Sequence, residues 1–254
     1  MQDMMLSPEE RVDVVNENIR LIQRKNGLTF STDAFLLSAF CRPQPKARAA
    51  DFGSGTGVIA LLLAARQTFA HITAVEAQET FADIAARNVE LNGFSHTVSV
   101  LFRDVRTLAP TDFGGELDVI VSNPPYMRAG DGAVSPYDEK QIARHEILGT
   151  INDFCTAAAK CLKYGGKLYT VWRPDRLESL MAALRANKFA PKRMVFVHDS
   201  ADKEPAVVLT EAMLGGSEGM HILPPLFMHD KSPNGVEKNL SERAQRIYDT
   251  GRFD

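Results

Sequence analysis

Two short stretches hold residues whose types and spacing suit chemistry. Asn123-Pro124-Pro125-Tyr126 follows a nearly all apolar, β-branched run over residues 117–122, the pattern of a strand buried on both faces of a parallel sheet. The two prolines remove two backbone donors and fix φ twice, so the strand must stop in a stiff extended turn. An amide, a rigid carbonyl and an aromatic ring are thereby held just beyond a strand's carboxyl end, where open α/β sheets bind their ligands. Upstream, Asp51-Phe52-Gly53-Ser54-Gly55-Thr56-Gly57 lies between an expected strand and an expected helix. A glycine-rich turn there lets the backbone approach a ligand closely and aim amides at it. Glu76 and Asp104 are expected at the ends of the next two strands, and for each carboxylate taken alone a helix cap or solvated turn is the stronger reading.

The elements that must position these residues follow from periodicity. From residue 48 the pattern alternates strand and helix: strands at 49–52, 72–75, 98–102, 117–122 and 167–172, and helices at 58–67, 78–91, 151–162 and 176–187. Strands at 194–198 and 206–214 then follow without a helix between them, which makes the chain an α/β protein with a mostly parallel sheet. Ahead of this, Ser7-Pro8-Glu9-Glu10 reads as a helix start. Asn26-Gly27 signals a hairpin whose second arm is 28–30, Ser31-Thr32-Asp33 caps a helix to about residue 40, and 42–46 reads as a linker. Residues 1–45 are thus expected as a small extension of helix, hairpin and helix, and 46–254 as the main domain. An appendage begins after about residue 215 and includes a short helix over 241–248.

With 254 residues, 44% of them hydrophobic, the chain can bury a sizeable core. No apolar run reaches the roughly 18 to 20 residues of a membrane span, and residues 1–10 carry acids and Pro8 where a secretory leader is basic and apolar, so a cytoplasmic protein is expected. Cys41, Cys155 and Cys161 lack metal-binding spacing and read as buried thiols; His145-Glu146 lacks a second histidine four residues on, so no metal is expected. A net charge of -3 gives no global pull toward nucleic acid. Lys160, Lys163, Lys167, Arg173, Arg176, Arg185, Lys188, Lys192 and Arg193 form the one basic window, readable either as solvated charges or as an RNA-facing surface.

The glycine loop is out of dinucleotide register, because Val58 stands where the third glycine of G-x-G-x-x-G would fall. With Asp51 ahead of Phe52, it resembles the S-adenosylmethionine loop of class I methyltransferases. That resemblance implies that Asp51 receives the cofactor's cationic amino group, that Gly53, Gly55 and Gly57 pack on its methionine and ribose portions, that Glu76 accepts the ribose hydroxyls and that Asp104 faces the adenine amine, with Asn123 completing the set. It also implies a Rossmann-like, seven-stranded sheet whose last strand inserts antiparallel. Asn123 to Tyr126 resembles the catalytic motif of methyltransferases acting on planar amino nitrogens. By that resemblance the Asn123 side-chain oxygen and the Pro124 carbonyl accept the two hydrogens of the nitrogen, and Tyr126 stacks on the base.

Residues 18–37, 123–126, Ala143-Arg144-His145-Glu146 and Ile222-Leu223-Pro224-Pro225-Leu226 together resemble the bacterial valine-tRNA adenine N(6)-methyltransferase family over residues 10–230. The resemblance implies transfer to the exocyclic amine of adenine in RNA, with tRNA as partner. It also implies that Phe30, Thr32 and Asp33 close over the cofactor, a plain helix cap being an equal reading of Thr32, and that Arg144 to Glu146 stiffen the substrate loop. A methyltransferase for a protein glutamine amide shares Asn-Pro-Pro-Tyr but carries a sizeable helical domain ahead of its glycine loop, where this chain has only about fifty residues before Asp51. A guanine-specific rRNA enzyme is also compatible with these motifs, as is a catalytically silent RNA-binding protein that keeps the fold.

Overall fold

The computed structural model describes residues 6–25, 32–125, 149–230 and 239–253. The chain opens with β1 (Glu10–Asn16) and β2 (Ile19–Arg24), followed by α1 (Thr32–Phe40). Then come β3 (Gln44–Phe52), α2 (Val58–Ala65), β4 (Phe69–Glu76), α3 (Glu79–Leu91), β5 (Val98–Phe102) and β6 (Leu117–Ser122). After the undescribed 126–148 follow α4 (Ile151–Cys161), β7 (Leu162–Trp172), α5 (Leu177–Ala186), β8 (Phe189–His198) and β9 (Pro205–Leu214). The tail holds β10 (His221–Ile222), β11 (Leu226–Phe227), β12 (His229–Asp230), β13 (Asn239–Leu240) and α6 (Glu242–Thr250).

The central sheet has nine strands in the order β10-β8-β9-β7-β6-β3-β4-β5, with β11 also beside β8. Seven of them are the expected strands, and β9 alone runs antiparallel to its neighbours β7 and β8. The additions are the two-residue β10 and β11, which pair with β8 in parallel. Both faces of the sheet are covered, which is why its strands read as continuous apolar runs. In β6, Val119 and Val121 join the core layer of α1, α2 and α6, while Ile120 joins that of α4 and α5.

The amino-terminal extension differs from the expectation. Residues 10–16 form a strand where the sequence suggests a helix start, because Val12 and Val14 alternate with charged residues and pair with Ile22 and Arg20 of β2. The Ser-x-x-Glu signal is real but closes a turn: the Glu10 carboxylate accepts the Ser7 amide at 2.9 Å. The hairpin therefore turns between Asn16 and Ile19, upstream of Asn26-Gly27, which with residues 28–30 lies outside the described residues. Of the linker expected at 42–46, residues 44–46 are the start of β3, held by Gln44, whose amide donates to the Thr68 carbonyl at 2.8 Å. Gly165 and Gly166 belong to β7. A Cβ on Gly166 would lie 2.8 Å from the Lys163 carbonyl and 3.2 Å from that of Asp118 in β6, so the glycine permits the strands to approach. The expected terminal helix is α6, capped by Ser241, whose hydroxyl accepts the Ala244 amide.

Candidate active site

The carboxyl ends of four neighbouring parallel strands lie in register. Phe52 at the end of β3 faces Val75 of β4 and Ser122 of β6, and Glu76 faces Phe102 of β5. The Gly53 and Ser54 amides both donate to the Val75 carbonyl at 2.9 Å, turning the chain sharply off β3. Gly53, Gly55 and Gly57 have φ of 74°, 55° and 83°. Two of these glycines serve different ends. A Cβ on Gly57 would sit 3.3 Å from that of Ala85, so its bareness lets α2 start against α3. A Cβ on Gly55 would meet nothing within 4 Å, so its bareness leaves open space beside the loop, as a closely approaching ligand requires.

Glu76, 4% exposed, braces this loop from the end of β4. Its Oε2 accepts the Gly55 amide at 2.8 Å and its Oε1 the Gln78 amide at 2.9 Å. Burial raises its pKa, and the Gln78 and Gly55 amides oppose that rise. The Ala77 amide and the Gln78 side chain oppose the rise as well, so the carboxylate is held by donors of its own β4–α3 turn and of the glycine loop. Asp51 is fully buried, and neither of its carboxylate oxygens has a hydrogen-bonding partner. Burial pushes its pKa up to about 8, opposed by the nearby Ala60 backbone amide and assisted by the Glu76 charge. Two orphaned acceptors on a buried acid are costly unless a cation or donor meets them. Asp104 is engaged locally: it caps the turn at Val105–Thr107 by accepting the Arg106 amide at 2.9 Å and also holds the Arg106 guanidinium, which lowers its pKa.

The proline tip is stitched to the glycine loop by a residue outside both sequence motifs. The Ser122 hydroxyl donates to the Phe52 carbonyl at 2.8 Å, so the residue preceding Asn123 and the residue preceding Gly53 are bonded across the sheet. Beyond it Asn123 is half-buried, Pro124 buried and Pro125 half-buried. Tyr126 lies outside the described residues, as do Phe30, Arg144, His145 and Glu146. Thr32 is exposed as the first residue of α1. Phe102 is a second residue that the motifs do not point to; it ends β5 opposite Glu76 with 56% of its surface exposed. Its signal in the sequence is an aromatic at the last position of an expected strand.

The basic window does not form one surface at this site. Lys163 pairs with Asp118, Lys167 and the buried Arg193 with Glu211, and Arg173 with Asp175. Arg185 and Lys188 line a cleft of about 640 Å³ with Met181, Phe189 and Met220. That cleft lies where α5 ends and β8 begins, at the end of the sheet opposite Asn123. Sequence proximity gathered charges that the fold sends to different ends and into ion pairs. Among the described residues no group of three or more His, Cys, Asp or Glu side chains is placed to hold a metal ion, and no helix is long and apolar enough to cross a membrane. The three cysteines are buried free thiols.

Residues 30–187 match the family described as Methyltransferase small domain. The chain belongs to that family. This methyltransferase is 30% identical over 187 residues to a protein of Parabacteroides distasonis named tRNA1(Val) (adenine(37)-N6)-methyltransferase, a match covering 74% of this chain and 77% of the relative. It is 26% identical over 218 residues to a protein of the same name from Dyadobacter fermentans, covering 85% and 89%. Its fold is that of a crystal structure named as a predicted O-methyltransferase from Agrobacterium tumefaciens, with a TM-score of 0.69 and 22% identity over 87% of this chain and 97% of that one. The methyltransferase therefore carries a class I Rossmann-like sheet, and its glycine loop and proline tip stand at adjacent strand ends of that sheet.

Proposed function

We propose that this methyltransferase transfers a methyl group from S-adenosylmethionine to the exocyclic N6 of adenine in RNA, with the adenine at position 37 of a valine tRNA as substrate. The observation that carries the reading is the bond between Ser122 and Phe52, which couples the Asn-Pro-Pro tip to the glycine loop. The named activity of the relatives supports the base and the RNA class.

The residues present fit the cofactor. Asp51 offers two buried acceptors without a partner, suited to a cationic amino group, and Gly55 leaves open space beside the loop. Glu76 stands at the end of β4, where a carboxylate suits ribose hydroxyls, and Phe102 offers an exposed ring near Asp104 for the adenine. When bound, S-adenosylmethionine supplies an electrophilic methyl group on a positively charged sulfur.

An adenine amino nitrogen is a poor nucleophile because its lone pair is delocalised into the ring. In this reading the Asn123 side-chain oxygen and the Pro124 carbonyl accept its two hydrogens and turn the lone pair toward the methyl carbon. The prolines hold that carbonyl without the conformational freedom an ordinary loop would have. As the new carbon–nitrogen bond forms, the carbon–sulfur bond would break with its electron pair left on sulfur, giving S-adenosylhomocysteine, and the nitrogen, now acidic, releases one proton to water, so the chain needs no strong base. Tyr126 stacks on the extruded base.

The test is methylation of unmodified tRNA by the purified chain, followed by mass spectrometry of the nucleosides. N6-methyladenosine in valine tRNA supports the reading. Methylated guanosine, or methylglutamine in a protein substrate, replaces it.

A further inference from the structure

Helix α3 treats the amino-terminal hairpin as if the helix were another strand. Asn88 Oδ1 accepts the Ile22 amide at 2.6 Å, and Asn88 Nδ2 donates to the Ile22 carbonyl at 3.1 Å. One turn on, Asn92 does the same for Arg20, accepting its amide at 2.9 Å and donating to its carbonyl at 2.7 Å. The match is geometric: four residues of helix rise about 6 Å, close to the roughly 6.6 Å spanned by two residues of a strand. Two asparagines four apart on the helix thus satisfy residues two apart on β2, whose outer edge would otherwise be bare.

Asn88 does one thing more. Its Nδ2 also donates to the Thr56 carbonyl at 2.9 Å, inside the glycine loop between Gly55 and Gly57. Asn88 is fully buried, and both its amide hydrogens are committed, one to the hairpin and one to the loop. Asn92 spends its second hydrogen on its own helix, at the Asn88 carbonyl, and reaches nothing in the loop.

We infer that Asn88 is a positioning residue that couples the docking of the amino-terminal hairpin to the shape of the cofactor loop, an inference that rests on the loop being the S-adenosylmethionine site. Ligand bound in the loop tightens the Thr56 carbonyl against Asn88 and thereby the hairpin, and by reciprocity a docked hairpin strengthens ligand binding.

The test uses the full chain and S-adenosylhomocysteine as the probe. In the wild-type protein, adding the probe slows hydrogen exchange at the Ile22 amide more than at outward-facing amides of β1; unchanged exchange at Ile22 with the probe bound overturns the coupling. By calorimetry Asn88→Ala weakens the probe roughly tenfold, the usual effect of losing a buried hydrogen bond, while Asn92→Ala changes it less than about twofold. Equal losses in the two variants, or none in Asn88→Ala, overturn the role of Asn88. If the wild-type chain binds no probe, the cofactor reading itself fails. Ligand-free exchange at the Gly57 amide then decides the tether, which predicts faster exchange in Asn88→Ala than in Asn92→Ala and is overturned by equal rates.

Discussion

The carboxylate of Glu76 accepts the backbone amide of Gly55 at 2.8 Å, joining the end of β4 to the centre of the glycine loop. The loop shape therefore depends on a side chain twenty-one residues away in sequence. Glu76→Gln replaces one oxygen with a donor that cannot accept an amide, so either the Gly55 or the Gln78 contact is lost. A charge-assisted hydrogen bond of this kind is worth about 1.5–3 kcal/mol. S-adenosylhomocysteine affinity is expected to fall more than about tenfold by calorimetry, and an affinity within twofold of wild type would remove Glu76 from the site.

Asp51 gives the ligand-free protein a distinctive pH dependence. Its folded pKa is about 8 against a reference of 3.8, with burial as the main cause and Glu76 as the neighbouring charge. Between those values the folded state holds a proton that the unfolded state has released, so this group's contribution to stability falls as pH rises through that window. Asp51→Asn should flatten that slope in urea unfolding at pH 5, 7 and 9. Meeting a cationic amino group ionises the acid, so binding near pH 7 should release protons. Calorimetry in two buffers of different ionisation enthalpy measures this, and identical heats would argue against the contact.

Glu10 carries the opposite sign. Arg87 grips its carboxylate through two nitrogens, pinning β1 to α3, and the bond to Arg87 lowers its pKa from 4.5 to about 2. The stabilisation is therefore complete above about pH 4.5 and is lost as pH falls through about 2. Glu10→Gln should cost roughly 1–3 kcal/mol at pH 7, with the gap to wild type closing toward pH 2 in thermal unfolding. A gap independent of pH would mean that the carboxylate charge does not hold the hairpin.

Asn123→Ala should abolish methyl transfer while leaving cofactor affinity within a few-fold, because the side chain acts on the substrate nitrogen; a collapse of cofactor binding would reassign it. Tyr126→Ala should weaken substrate RNA by about 1–3 kcal/mol, the usual worth of one base stack. Gel-shift titration against unmodified tRNA reads this, and unchanged affinity would argue against stacking.

Much of this molecule is written locally. The strand and helix alternation after residue 48, the turn at Gly53 to Gly57 and the stop at Pro124-Pro125 depend on apolar period and backbone chemistry within a few residues, so the sequence alone determined the sheet and the two motifs at its strand ends. Other features belong to tertiary structure because they join distant segments. Ser7-Pro8-Glu9-Glu10 has the composition of a helix start, yet pairing with β2 made the next residues a strand. The basic window is continuous in sequence, yet Glu211 and Asp118 take three of its charges and the fold carries Arg185 and Lys188 away from Asn123. Asn88 and Asn92 look like ordinary polar residues of a helix; only the packing of α3 beside β2, sixty-six residues apart at Ile22 and Asn88, turned them into the edge of a sheet and a tether to the glycine loop.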